Sequence, residues 1–266
     1  MKIAISGKGG VGKTTLAGTL ARYLADKNYK VLAIDADPDA NLASAIGVPK
    51  EVSSKITPIS EMKELISERT GAKPGSYGNM YVLNPKVDDL PEKYSVDYKG
   101  VKMMLLGTLN TAGSGCFCPE NALLRALLRY LFVARDEVVI VDMEAGLEHL
   151  GRGTTGYVNK FIVVVEPGLR SFQTARQIKQ LANELNIKGV WIVGDKIRSE
   201  EDKLLIEKEL TEFKILGYLP YDEKIIESDK MGISAYDLSK KVKGRACAYL
   251  RIIFRNFNTL LSFVAQ

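Results

Sequence analysis

The chain has 266 residues, 46% of them hydrophobic, which suffices for one substantial core and makes a single domain the default. Its net charge of +5 is mild and no block of five or six like charges occurs, so nucleic acid is not the natural partner; the longest uncharged apolar stretch near the C-terminus, Asn256–Gln266, is too short to span a bilayer. Three cysteines, two of them two positions apart, do not form a disulfide framework, and with a strand rather than a signal peptide expected at residues 2–6 the expected compartment is a reducing cytoplasm.

In chain order, Lys2–Ser6 reads as a strand running into the glycine-rich loop Gly7-Lys8-Gly9-Gly10-Val11-Gly12-Lys13-Thr14, and a helix is predicted from about Lys13 to Asp26. Lys30–Ile34 reads as a second strand, ending in the acidic cluster Asp35, Asp37 and Asp39. The stretch 51–115 breaks the rhythm. It holds an amphipathic segment (Ile59–Thr70), a loop rich in Gly, Pro and Ser (Gly71–Gly78) and two short apolar runs (Tyr81–Leu83, Met103–Leu106), and reads as an elaboration of the same domain. Glu137–Asp142 is an apolar strand closed by an aspartate; Phe161–Val165, Val190–Val193 and Ile215–Leu219 are three more, with helical patterns at roughly 170–186 and 200–210. A C-terminal tail over 237–266 is helix-compatible. Its segment 246–266, rich in Phe, Leu and Ile with Arg251 and Arg255, fits a helix packed on the sheet, or an interfacial membrane helix of sparse charge. Strands alternating with helices imply an α/β fold over 1–266: a mostly parallel twisted sheet, helices on both faces, ligands at the carboxyl ends of the strands.

The loop fits G-x-x-x-x-G-K-[ST] between a strand and a helix, the context that marks a P-loop NTPase. Its glycines let successive N–H groups face one concavity, and the helix N-terminus adds positive potential. The phosphate contacts are expected on Gly9, Gly10, Val11, Gly12, Lys13, Thr14 and Thr15, with Lys13 at the β- and γ-phosphates and Thr14 on Mg²⁺. Lys8 is a second lysine within the loop, too close to the phosphates for a routine surface lysine. Hydrolysis also needs a metal-holding carboxylate and a group that orients water. Asp142, at the end of Val138–Val141, suits the first, with Gly146 placed to offer an N–H to the γ-phosphate; Asp37 is the candidate for the second, and Asp35 for a contact to Mg²⁺ through water.

Lys8 in the loop, Asp37-Pro38 after the second strand, and Asp142 with Gly146 together resemble the deviant Walker A family of partitioning and septum-site ATPases and the nitrogenase iron protein, over most of residues 1–220. The resemblance implies an ATPase in which Lys8 crosses a twofold axis to the partner's nucleotide, Asp37 activates water and Asp142 is the switch II aspartate. ATP would close a homodimer and hydrolysis reopen it. An Asn-Lys pair of that family contacts adenine; here the pair is Asp195-Lys196. A carboxylate accepts the adenine amino group but cannot donate to N7, and it also suits the N–H groups of guanine, so the base preference stays open although ATP is expected.

Gly113-Ser-Gly-Cys116-Phe-Cys118-Pro-Glu-Asn121 is the other informative segment. Cysteines at i and i+2 on extended chain point to one side, and a bridge between them would be strained. A soft metal wants four ligands; one chain offers two thiolates here, with Cys247 remote, and a dimer with this loop on its axis offers four. The alternative is a pair of small buried cysteines near a helix start. Together with 142–154 (Asp-Met-Glu-Ala-Gly-Leu-Glu-His-Leu-Gly-Arg-Gly-Thr), Glu166-Pro167 and Gly217-Tyr-Leu-Pro220, the segment is similar to the CooC-type nickel-insertion ATPases of carbon monoxide dehydrogenase and to the related accessory ATPase of acetyl-CoA synthase. That implies a dimeric metallochaperone binding ATP, Mg²⁺ and Ni²⁺ (or Zn²⁺), with Pro220 near the nucleotide and a nickel–iron–sulfur enzyme as client. The sole histidine, His149, either orients switch II or gates metal. A membrane- or nucleoid-positioning ATPase is the competing function, and has no use for Cys116 and Cys118; an iron–sulfur electron donor is another, against which stands Ala145 where that protein has a cysteine.

Overall fold

A computed structural model of the chain describes residues 1–74, 80–107, 118–145, 158–187, 189–244 and 246–247. The elements follow the expected alternation: β1 (Lys2–Gly7), α1 (Lys13–Asp26), β2 (Val31–Ala36), the short helices α2 (Leu42–Ile46) and α3 (Lys50–Ser53), a 3₁₀ turn (Ile59–Glu61) leading into α4 (Lys63–Thr70), then α5 (Leu90–Tyr94), β3 (Val96–Tyr98), β4 (Val101–Leu105), α6 (Pro119–Val133), β5 (Val138–Met143), β6 (Lys160–Val165), α7 (Leu169–Glu184), β7 (Val190–Ile197), α8 (Glu200–Glu209), β8 (Lys214–Pro220), α9 (Glu223–Met231) and α10 (Ala235–Leu238). The eight strands form one sheet in the order β3-β4-β2-β5-β1-β6-β7-β8. Every pairing is parallel except β3 with β4 at the edge.

β1, β2, β5 and β6 are buried along their whole length, the state expected of parallel strands covered on both faces. The side-chain alternation of period two splits their residues between two cores. Ala4, Leu32, Ile34, Val139, Val141, Val163 and Val165 face α4, α6, α7 and α8. Ile3, Ile5, Ala33, Ile140, Ile162 and Val164 face α1 and α2. The short elements α2, α3, α5 and β3 and the helix α9 lie outside the expected set, as do two that build the core. Met103–Leu106, an apolar run within the stretch read as an elaboration, is mostly β4, which sits inside the sheet beside β2. Helix α6 carries Leu123, Leu124, Leu127, Leu128 and Leu131 into the core at helical spacing. Tyr81–Leu83 forms no strand, and Val82 and Leu83 are exposed.

The first helix is also held from its far end. Arg22 of α1, almost wholly buried, makes a two-pronged pair with Asp237 of α10, both N···O distances being 3.0 Å, and donates to the Ile46 carbonyl at 2.9 Å. No helix among the described residues is long and apolar enough to cross a membrane.

Leu127 is fully buried at the middle of α6. Leu127→Ala should lower the free energy of unfolding by about 2–5 kcal/mol, read as a shift in the denaturant midpoint.

Candidate active site

The site collects at the carboxyl ends of the strands, where an open parallel sheet exposes loops and helix N-termini. Register brings the acidic ends level: Asp142 of β5 lies opposite both Ile5 of β1 and Asp35 of β2. These ends and the loop after β1 border a cleft of about 770 Å³, lined by Gly9, Gly10, Gly12, Lys13, Thr14, Thr15, Asp37, Asp195, Lys196 and Pro220 among others. That volume falls within the range of about 300–1,000 Å³ usual for small-molecule sites.

Two glycines are sterically required. A Cβ on Gly7 (φ +149°) would lie 2.4 Å from the Val164 carbonyl oxygen, because β1 ends hard against β6. Gly12 caps the N-terminus of α1 at φ +97°, and a Cβ there would lie 1.9 Å from Asp195 Oδ2. Val11, between them, is buried in the core, so only its backbone is placed to face the cleft. Lys13 is buried, with Nζ 3.4 Å from Asp37 Oδ2. Lys8 is partly exposed, with Nζ 3.8 Å from Glu166 Oε1.

The acidic residues divide by role. Asp35 is fully buried, and its oxygens accept N–H donors from Asp37 (3.2 Å) and Leu42 (2.9 Å). It thus shapes the turn that carries Asp37, whose own Oδ1 accepts from the Asp39 N–H at 3.0 Å. Burial raises the Asp35 pKa to about 6 in spite of those two bonds. Asp142 has no comparable support: it is fully buried, and neither oxygen completes a hydrogen bond among the described residues. Burial pushes its pKa up to about 7, with Thr14 and Lys13 favouring the charged form and Asp35 and Asp37 opposing it. A bare buried carboxylate facing the Thr14 hydroxyl is a hard-oxygen donor set, and it fits Mg²⁺.

On the far wall, Asp195 is buried against Gly12; its Oδ1 accepts the Lys196 N–H at 2.7 Å, and burial raises its pKa to about 6. Lys196 takes a positive φ of 57° and donates from Nζ to the Gly10 carbonyl at 2.6 Å. Arg198 stacks over the Tyr221 ring 4.0 Å from its centroid, and both line the cleft with Pro220. Four residues were not assigned a role from sequence: Arg198 and Tyr221, Ser6, whose buried hydroxyl ties β1 to the Glu144 carbonyl at 2.6 Å, and Glu166. Glu166 carries the signal that marks Asp142, an acid immediately after a buried apolar strand.

Cys118 is the N-cap residue of α6, buried and in extended conformation (φ −118°, ψ 153°). β4 runs parallel to β2 and ends at the carboxyl edge, and α6 leads back to the start of β5. Cys118 therefore lies at the same edge as the phosphate loop. Cys116, Gly146 and His149 lie outside the described residues. Among the described residues no group of three or more His, Cys, Asp or Glu is arranged to hold a metal ion.

The raised carboxyl pKa values fix a sign. Asp35, Asp142 and Asp195 favour the protonated form when folded, so their contribution to stability is full below about pH 4 and is lost as pH rises towards 6–7. The ligand-free protein should lose stability from these groups over that window. Mg²⁺–nucleotide binding should release protons near pH 6.5 and restore part of the loss if Asp142 takes the cation as a carboxylate. Calorimetric titration in two buffers of different ionisation enthalpy reads the proton count directly; no release would contradict ionisation of Asp142 on binding. Gly12→Ala should abolish nucleotide binding while Gly9→Ala, at a position with open space, is tolerated better, as measured by fluorescence titration.

Residues 2–235 match the family described as the CobQ/CobB/MinD/ParA nucleotide binding domain. The chain is 52% identical over 250 residues to the carbon monoxide dehydrogenase accessory protein CooC of Rhodospirillum rubrum, covering 94% of this chain and 95% of that one. It is 48% identical over 234 residues to an uncharacterized ATP-binding protein of Methanocaldococcus jannaschii, covering 87% and 90%. In fold it is similar to the MinC:MinD cell division complex of Aquifex aeolicus, with a TM-score of 0.68 at 20% identity over 98% of both chains. With a P-loop sequence ahead of α1, a buried carboxylate beside Thr14 and relatives along almost its whole length, the chain belongs to the CobQ/CobB/MinD/ParA family of P-loop nucleotide-binding proteins and is an ATPase.

Proposed function

We propose that the protein is the accessory ATPase of a nickel–iron–sulfur enzyme of the carbon monoxide dehydrogenase or acetyl-CoA synthase type, and that it works as an ATP-closed homodimer. The observation that carries this reading is the near-full-length likeness to CooC in a chain that places a buried cysteine at the nucleotide edge of the sheet. The cytoplasm is the proposed site of action, and one domain with a C-terminal tail the proposed organisation.

Lys13 would hold the β- and γ-phosphates on the loop N–H groups of residues 9–15. Thr14 and Asp142 would hold Mg²⁺ directly, and Asp35 would back it through water with the lone pairs not spent on Asp37 and Leu42. Mg²⁺ supplies charge neutralisation at the phosphates. Asp37, now paired with Lys13, is freed once phosphate takes that lysine, and orients the attacking water; the Gly146 N–H would meet the γ-phosphate. Asp195, Lys196 and Pro220 would bound the base. Ni²⁺, the cargo, would be taken by Cys116 and Cys118 of both protomers at the dimer axis. Zn²⁺ competes for such thiolates, and geometry separates the two: tetrahedral for zinc, closer to square-planar for nickel.

Equilibrium dialysis of the nucleotide-bound protein with Ni²⁺ should give one metal per dimer, with affinity falling as pH drops because thiolates must lose protons. Cys116→Ala and Cys118→Ala should each abolish tight binding and Cys247→Ala should not. One metal per monomer, or full binding by Cys116→Ala, would sink the shared site. Asp37→Ala should bind ATP normally and lose turnover by about 10²–10⁴-fold; Lys8→Ala should bind ATP but stay monomeric in sedimentation.

A further inference from the structure

Glu166 directly follows β6, and its backbone N–H donates to Ser171 Oγ at 3.1 Å, which pins it to the first turn of α7. From that fixed point its carboxylate reaches two lysines of the cleft rim. Oε2 lies 3.0 Å from Lys196 Nζ and Oε1 lies 3.8 Å from Lys8 Nζ. The first contact is tight and further secured, because the same Lys196 amine donates to the Gly10 carbonyl at 2.6 Å. The second is an ion pair beyond hydrogen-bond length between side chains 39% and 29% exposed, so it opens at little cost.

The pattern repeats within the loop. Lys13 is paired with Asp37 and Lys8 with Glu166, so each loop lysine rests on a carboxylate of its own chain. A polyanionic triphosphate competes with both carboxylates. Displacing Asp37 sets free the group that would orient water. Displacing Glu166 sets free the lysine that would cross to a second copy.

We propose that Glu166 is a latch, holding Lys8 against its own protomer in the nucleotide-free state and so opposing dimer closure until ATP releases it. The proposal rests on the reading of Lys8 as the lysine that crosses the dimer axis. Glu166 acts through Lys8 and is a positioning residue, with no contact to the reacting atoms required of it. Because Lys196 stays bound to the Gly10 carbonyl by its own donor, loss of the Glu166 charge frees Lys8 without unmaking the cleft wall.

The test is sedimentation velocity at a fixed protein concentration across a titration of a non-hydrolysable ATP analogue with Mg²⁺, from none to saturation, read as the analogue concentration for half-dimerisation. Glu166→Gln should lower that concentration by up to about fivefold, since each of the two latches per dimer, one for each bound analogue, contributes up to that factor as a half-exposed ion pair. Glu166→Asp, which keeps the charge but is too short to reach Lys8, should shift in the same direction and serves should the first variant fold poorly. Glu166→Gln should also tighten binding of the analogue in fluorescence titration, and that gain must vanish in the Lys8→Ala background, which binds nucleotide but stays monomeric; a merely structural role for Glu166 would not show this coupling. A parent chain that stays monomeric with the analogue overturns the dimer reading and the latch together. A parent that dimerises, with a Glu166→Gln midpoint unchanged or raised, or with an equal gain in analogue affinity in the Lys8→Ala background, overturns the latch alone.

Discussion

The parallel register of β2, β5 and β1 is the constraint on which the site depends. Asp35, Asp142 and Ile5 stand level across three adjacent strands, so the loop after β1 and the turn after β2 open on one side of one buried carboxylate. A one-residue slip of β5 would send Asp142 to the opposite face and place Val141 or Met143 beside Thr14. Burial on both faces is what prevents that slip: the odd residues of β1 and the even residues of β5 belong to one core, the even residues of β1 and the odd residues of β5 to the other, and a one-residue slip would exchange them.

Burial also sets the electrostatics. Three carboxylates sit in a setting that resists their ionisation, and the lysines of the loop lean on acids rather than on solvent. Such an arrangement is costly for the free protein. It is well matched to a ligand that brings a divalent cation for the bare carboxylate and oxyanions for the lysines. Ligand binding then exchanges internal pairs for better ones, which gives nucleotide leverage over side chains that are otherwise occupied.

Much of this was legible in the sequence, for a physical reason. Strands buried on both faces are continuous apolar runs, and the residues that end them, Asp35, Asp142 and Glu166, are acids at the one edge that is not covered. The P-loop spacing is local and needs no tertiary information. β4 was not legible as a sheet member, because Met103–Leu106 is a four-residue apolar run whose partner, β2, lies some 70 residues away in the chain. Helix α6 was legible: its leucines keep helical spacing with Arg125 and Arg129 exposed, so its absence from the expected elements is an omission and not a limit of the sequence. The bridging of Lys8 and Lys196 by Glu166 depends on contacts between segments up to 158 positions apart, which no local pattern encodes.

The same topology bears on how thiol chemistry and nucleotide chemistry are joined. Cys118 begins α6 at the carboxyl edge, while α6 packs along the sheet face that holds Val139, Val141 and Met143 of β5. Asp142 is the penultimate residue of β5, so the helix that starts at the Cys118 thiol and the strand that carries the buried carboxylate are consecutive elements that contribute side chains to one core. A close-packed core is not continuously deformable. At the proposed thiolate site, coupling between nucleotide and metal would need no long relay, because one core joins the helix of Cys118 to the strand of Asp142. By linkage, whatever factor nucleotide brought to metal affinity there, metal would bring to nucleotide affinity.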